Sequence, residues 1–440
     1  MSDRRLVRAA TTGARVLVGG AVAAAVVVGT IAGIAAPWPG LVADPVRVEV
    51  TPAPSDTVLA CDGPVFALGR TAESAGAVSV AAPQTTVSGP DTSAAETSAL
   101  SGATADGSGD ATVFRAPPRD RTATAYAAAG SATVASPDLI GFSASACRPP
   151  LAESWLVAGA STTGANDLVV LGNPGDVAAT VQLTVYGAQG VSAPASGAGI
   201  VVPAGGQRVI PLAGLLLGEE SPVVRVVATG APVRASLQAG LTRVLLPGGS
   251  DQAAPLAQAS TSLVIPGVQV VTASAGDAGT VLRLLAPGSA TSATVTITPV
   301  GSGTPAENPR TLDLPAGTPT SLDLSSLAPG AYTVSIDAAQ PVVGGVWSTT
   351  GFGAGAALVV ATDAARGPAS VTLTPPAGGA PVTVTVPAGG SATVPVGAGV
   401  YELSPDRPVH AAVSYAAPGA LAGYPLWPAD AAAGALTVLP

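Results

Sequence analysis

Lysine is absent from this 440-residue chain, and all 18 basic residues are arginine. Histidine occurs once, at His410, and cysteine twice, at Cys61 and Cys147. Aromatic residues make up 3% of the chain. Each shortage excludes something. One imidazole cannot build a multi-histidine metal site or serve repeated Ser-His-Asp sets. Two isolated cysteines do not make a zinc site. With so few aromatics the cores must be built from Val, Leu and Ala, which bury less area per residue. A net charge of −9, with no basic stripe in the body, argues against a nucleic-acid partner. No stretch beyond Gly40 sustains a helical apolar period, so helical folds are excluded there. No G-x-S-x-G elbow occurs. Missing lysine beside abundant Ala, Gly, Val, Pro and Arg reflects a GC-rich coding bias rather than a function.

What is present is punctuation and repetition. The 42 prolines and 54 glycines divide the chain into short segments. One pattern is written three times. The clearest copy runs from Val371 to Val413. Earlier copies begin VTITPV at Val295 and VQLTVY at Val181. Each has V-x-[LI]-T, then Pro-Ala-Gly, then a valine-rich segment, then Pro-Val followed by small and apolar residues. Side chains alternate across a strand, so Val371 and Leu373 share one face and Thr372 and Thr374 the other. Val295 and Ile297, and Val181 and Leu183, repeat that arrangement. β-branched residues suit a pleated, half-buried surface. The Pro-Ala-Gly elements read as hairpin turns in which Gly205, Gly317 and Gly389 take a positive φ. The spacing predicts an all-β chain of tandem β-sandwich (Ig-like) modules of roughly 60–80 residues each.

At the N-terminus, Arg4, Arg5, Arg8 and Arg15 precede an uncharged apolar run from Val16 to Ala36. At about 1.5 Å per residue that run matches a hydrocarbon core about 30 Å thick. The arginines place residues 1–15 in the cytoplasm and the body outside, as a single-pass protein of the cell membrane. A cleaved signal peptide is the other reading, and the length of the run favours the uncleaved anchor at 16–36. Gly19 and Gly20 offer a weak small-residue helix-pairing signal. Residues 37–56 read as a juxtamembrane linker, with Trp38 at the membrane interface. Residues 57–160 read as a β unit closed by a Cys61–Cys147 disulfide, which would contribute at most about 4–5 kcal/mol. Within it the Ser/Thr/Ala-rich stretch 84–110 reads as a flexible insertion, with O-linked sugars as an alternative. A lipobox at Cys61 is disfavoured because the cysteine lies far beyond the apolar run. Trp155 is expected to anchor the junction into module 1, residues 161–239. A connector is expected at 240–266, module 2 at 267–350 and module 3 at 351–440.

Chemistry is harder to find. His410 follows Pro408-Val409 where the other copies place Arg234 and Val343, which reads as a tolerant surface position rather than a general base. Gly351-Phe-Gly-Ala-Gly355 lacks the helix a phosphate loop needs. Asp313 and Asp323 flank the second turn, and two carboxylates suffice for glycoside hydrolysis; solvated strand charges fit them equally well. Glu219-Glu220 reads as loop charge. Tyr332, Trp347, Tyr401, Tyr415, Tyr424 and Trp427 are the candidate sugar-stacking rings, with core packing the better reading of Trp347 and Tyr415.

Cys147-Arg-Pro-Pro, Glu153-Ser-Trp155 and the run from Ala158 to Gly187 resemble an actinobacterial family of membrane-anchored envelope proteins known as a domain of unknown function, DUF5719. Val264 to Val268 and the Pro-Ala-Gly modules are similar to it as well. The resemblance implies one N-terminal span and an extracytoplasmic β-rich body. It implies no reaction. The expectation is therefore a non-catalytic scaffold or interaction protein of the cell envelope, with no cofactor, metal or catalytic residue. Its partners would be the cytoplasmic membrane and an envelope protein or glycan. A carbohydrate-binding accessory is the alternative, and a carboxylate-based hydrolase ranks below it.

Overall fold

The N-terminal arginines and the apolar run form one helix, Asp3–Ala35. A computed structural model describes residues 3–35, 48–50, 54–69, 74, 76–89, 95–104, 106–119, 122–136, 139–243, 246–270, 279–348, 355–375, 378–417, 420–427 and 436–438. From Thr12 to Ala35 the helix is long and apolar enough to cross a membrane, and none of that window is buried by the protein. Leu17 and Ile34 are 76% and 85% exposed. The Thr30 hydroxyl donates to the Val26 carbonyl at 2.7 Å, which satisfies a polar group within the apolar stretch. The chain divides into an N-terminal part, residues 1–52 with 434–440, and a body, residues 53–433. In the first, Val48–Val50 pairs antiparallel with Leu436–Val438. Trp38 lies outside the described residues.

The body is all β, and its three repeats are three antiparallel sandwiches. In module 1 one sheet contains Glu153–Leu156, Val223–Thr229, Ala179–Gly187, Gly190–Ser192 and Ile200–Val202. The facing sheet orders Gly206–Pro211, Leu168–Asn173, Arg234–Arg243 and Leu246–Ala253. The alternation buries the predicted faces. Val181 and Leu183 are 0% exposed, Val295 and Ile297 1% and 2%, Val371 and Leu373 0% and 5%. Each pair sits in its own module's core. At roughly 1.5–3 kcal/mol for each large aliphatic side chain, these aliphatic cores supply the main stabilisation of each sandwich.

The Pro-Ala-Gly elements are not hairpins. Gly205, Gly317 and Gly389 do have φ of 61°, 72° and 64°. The N–H two residues beyond the alanine bonds back to the proline carbonyl, at 3.0 Å for both Gly206 to Pro203 and Gly390 to Pro387. The strands on either side, however, belong to opposite sheets: Ile200–Val202 and Gly206–Pro211, Arg310–Leu314 and Thr320–Asp323, Val382–Val386 and Ser391–Pro395. The turn carries the chain across the sandwich. Local turn chemistry is the same for both outcomes, so sequence alone did not separate them.

The Pro-Val element is the second crossing. In module 2 a single strand, Gly330–Ser348, pairs in one sheet through Ala338 and in the other from Val343. In modules 1 and 3 the same path is split into Val223–Thr229 and Arg234–Arg243, and into Glu402–Pro405 and His410–Ala417. Proline lacks the N–H a ladder needs, and here it falls at the switch, where neither ladder requires one. The valine beside it plugs the core: Val233 and Val342 are 0% exposed.

Several boundaries differ from expectation. Residues 240–266 are no connector. Leu246–Ala253 completes a sheet of module 1, and Ser260–Val270 pairs with Gly330–Ser348 of module 2. Glu153–Leu156 belongs to module 1 rather than to the disulfide-closed unit. The stretch 84–110 carries two paired strands, Thr85–Gly89 and Glu96–Leu100, with Leu100 1% exposed. Its Ser/Thr-rich composition is that of strands lying on other parts of the protein and needing no large core of their own. The disulfide-closed unit, the first unit of the body, accordingly has small clusters in place of a single core. Phe66 packs on Leu168 and Val170 of module 1. Ala144 and Ala146 pack on Ala422 and Tyr424 of module 3.

Candidate functional site

Cys61 and Cys147 form a disulfide, and the residue after each is a buried charge. Asp62 and Arg234 are 1% and 3% exposed and meet at 2.6 Å. Arg148, 2% exposed, donates to the carbonyl of Pro425, and its guanidinium lies 5.3 Å from the Trp427 ring centre. Burial, reinforced by Arg234, pushes the Arg148 guanidinium down to about 9. Buried amides extend this seam between the first unit and module 1. Gln238 accepts the Phe66 N–H at 2.7 Å and donates to the Phe66 carbonyl at 2.8 Å. Gln207 donates to the Asp62 carbonyl at 3.1 Å, and Ser145 to Gln252 at 3.2 Å. Arg234 and Gln238 sit on the outer face of the sheet that begins with Gly206–Pro211, because they alternate with its core residues Ala235, Leu237 and Ala239.

A second set of polar groups joins module 1 to module 2. Asp167, 5% exposed, accepts N–H bonds from Ala160 at 2.6 Å and Gly240 at 2.8 Å. Burial still pushes its carboxyl up to about 6. Arg283 reaches from module 2 to the carbonyls of Gly159, Pro222 and Glu220 at 3.0, 2.7 and 3.2 Å. Beside it Trp155 and Tyr186 pack on Leu285 and Val343. Glu153 receives two bonds from Arg225, at 3.0 and 2.9 Å, and one from the Trp155 indole at 3.0 Å. Those bonds, Arg225 first, hold the Glu153 carboxyl below its usual range.

Where the first unit and the three modules meet there is a cavity of about 370 Å³. Its wall takes Phe142 from the first unit, Val157 and Asp251 from module 1, Gln269 and Trp347 from module 2, and Tyr424 from module 3. Ser348 donates to the Gln269 carbonyl at 3.0 Å, and Gln269 approaches the Ser414 hydroxyl at 3.4 Å. Phe142, Tyr415 and Tyr424 form a chain of ring contacts, 5.5 and 6.2 Å between centres. Asp251 accepts the Gln252 N–H at 2.8 Å and bonds the Ala144 N–H. Burial first, then the charge of Asp62, pushes its carboxyl up to about 8.

A family model described as a family of unknown function, DUF5719, matches residues 101–420. The chain belongs to the DUF5719 family. No curated protein and no solved structure matches it. The DUF5719 match takes in modules 1 and 2 and most of module 3, and it contains Cys147 and Arg234 but not Cys61 or Asp62. The disulfide and the buried ion pair therefore tie the DUF5719 region to the residues before it.

The residues that carry the family resemblance have structural partners. Cys147 is in the disulfide, Arg148 in the buried seam, and Glu153 and Trp155 in the module junction. Asp167 closes a loop. Asn173, 0% exposed, donates to the carbonyls of Val177 and Val202 at 2.8 and 3.1 Å. The carboxylates singled out for hydrolysis are not brought together: Asp313 and Asp323 are exposed on opposite sheets of module 2. Asp313 accepts from Ser292 at 2.8 Å, and Ser325 holds Asp323 below its usual range. Glu219 is more than loop charge, since it accepts the N–H groups of Ala188 and Ser221.

The Arg234, Val343 and His410 positions are not a tolerant surface site across the copies. Arg234 pairs with Asp62, and Val343, 0% exposed, packs beside Trp155. His410 faces Ala361 across the sheet, and burial with nearby Arg366 holds its imidazole below the usual value. Trp427 covers Arg148, and Tyr332 donates to the Ala328 carbonyl at 2.7 Å. The Tyr401 hydroxyl accepts the Gly397 N–H at 3.1 Å. Residues 351–354 lie outside the described residues. Sequence reasoning missed Asp62, Arg148, Arg283 and Asp251. An acid after one cysteine and an arginine after the other was the available signal for the first two.

Proposed function

We propose that this protein is a non-catalytic scaffold or interaction protein of the cell envelope. In this reading the N-terminal helix tethers it to the cytoplasmic membrane, with the arginines inside and the body outside. One observation carries the reading. The polar residues that carry the family resemblance are engaged with backbone groups and with each other, and they bind four parts of the chain together. Side chains committed to holding backbone are poorly placed to act on a substrate. A body braced this way presents loops and sheet edges at fixed positions, and edge strands offer unpaired backbone groups to a partner. The edge strands Ile200–Val202 and Val382–Val386 also present Val201 and Val382, 54% and 45% exposed.

The test is chemical cross-linking and affinity capture of the full-length protein from its native membrane, with a glycan array probed in parallel. The scaffold reading expects reproducible protein partners and a blank array. Retention of one glycan class without protein partners overturns it in favour of a carbohydrate-binding accessory. Loss of the protein from the membrane fraction after high-salt washing would contradict the tether.

A further inference from the structure

The central cavity has the size of a small-molecule site, for which roughly 300–1,000 Å³ is usual. Its wall is mostly apolar, and among the described residues lining it Asp251 alone is charged. Asp251 is half-buried, and a partly desolvated carboxylate without a cation costs free energy unless something completes it. The aromatic rings of Phe142, Trp347 and Tyr424 add faces that attract cations. We propose that this cavity binds a small organic ammonium ion, its amine head held by Asp251 and its apolar body by the aromatic wall.

The elevated carboxyl of Asp251 agrees with an acid that has no cation beside it. An ammonium ion would supply that charge together with N–H donors, which a neutral or anionic ligand of the same shape cannot. The wall is contributed by all four parts, so the site exists only in the assembled body. The inference goes beyond the scaffold reading and does not depend on it: an amine site needs no protein partner.

Isothermal titration of the full-length protein in detergent micelles tests this, with phenethylamine as probe and phenethyl alcohol as its uncharged match. A protein-free micelle titration corrects for partitioning. Saturable amine binding at least tenfold tighter than the alcohol is expected. In Asp251→Asn the amine should fall to the affinity of the alcohol, while the alcohol is unchanged. Equal affinities for the two probes, or no saturable amine binding, would overturn the proposal. So would a folded Asp251→Asn protein that keeps its amine affinity. The comparison of amine with alcohol on the native protein decides the matter even if the variant fails to fold.

Discussion

At the residue scale the decisive groups are buried and charged. Removing one partner of a buried pair strands the other in a low-dielectric interior, which costs about 3–5 kcal/mol. Arg234→Ala should therefore destabilise the body by about that much in urea unfolding, whereas an exposed pair such as Arg366 with Asp363 should contribute at most about 1 kcal/mol. Asp251 and Asp167 give a pH signature. Their folded carboxyls sit at about 8 and about 6, above the ordinary value of 3.8. Above that ordinary value the unfolded chain releases these protons while the folded chain retains them, so their contribution to stability declines as pH rises, until each folded group ionises. Asp251→Asn lacks one of these titrations. Its melting temperature relative to the native protein should climb steadily from pH 5 to pH 8, by up to about 1.4 kcal/mol of stability per pH unit. A difference independent of pH would show that the Asp251 carboxyl is not raised in the folded protein.

At the scale of elements, the strands were legible because Val-Thr alternation has one physical outcome when one face is buried. Partner choice was not legible. Pro-Ala-Gly satisfies the same turn in a hairpin and in a sheet crossing, and only the opposing sheet decides between them. The position held by Arg234, Val343 and His410 shows the opposite failure. Three unlike residues suggest exposure, yet two of them are buried because each module turns this face to a different neighbour. Glycines record such approaches. A Cβ on Gly345 would lie 2.6 Å from the Val157 carbonyl oxygen, across the contact between modules 1 and 2. Gly345→Ala should cost about 1–3 kcal/mol by overpacking, read from the denaturation midpoint, although alanine suits a strand better. Gly288, with open space around its Cβ position, is the control and should tolerate alanine within about 0.5 kcal/mol.

At the scale of the whole molecule, the count and order of the modules were legible in the threefold repeat, and their closure was not. Closure depends on the first unit, whose Ser/Thr-rich strands look disordered when read alone. It touches module 1 through Phe66 and the buried ion pair, and module 3 through Ala144, Ala146 and Arg148. The cavity follows from that closure, and so does the structural role of the residues that mark the family. The central claim is that residues 53–433 unfold as one braced body and not as beads on a string. Scanning calorimetry of the full-length protein in detergent, repeated with Arg234→Ala, tests it most directly. The account predicts one cooperative β-body transition for the native protein, its calorimetric and van't Hoff enthalpies in agreement, and a lower or split transition once the pair is broken. Three or more separate transitions in the native protein, unmoved by Arg234→Ala, would contradict it.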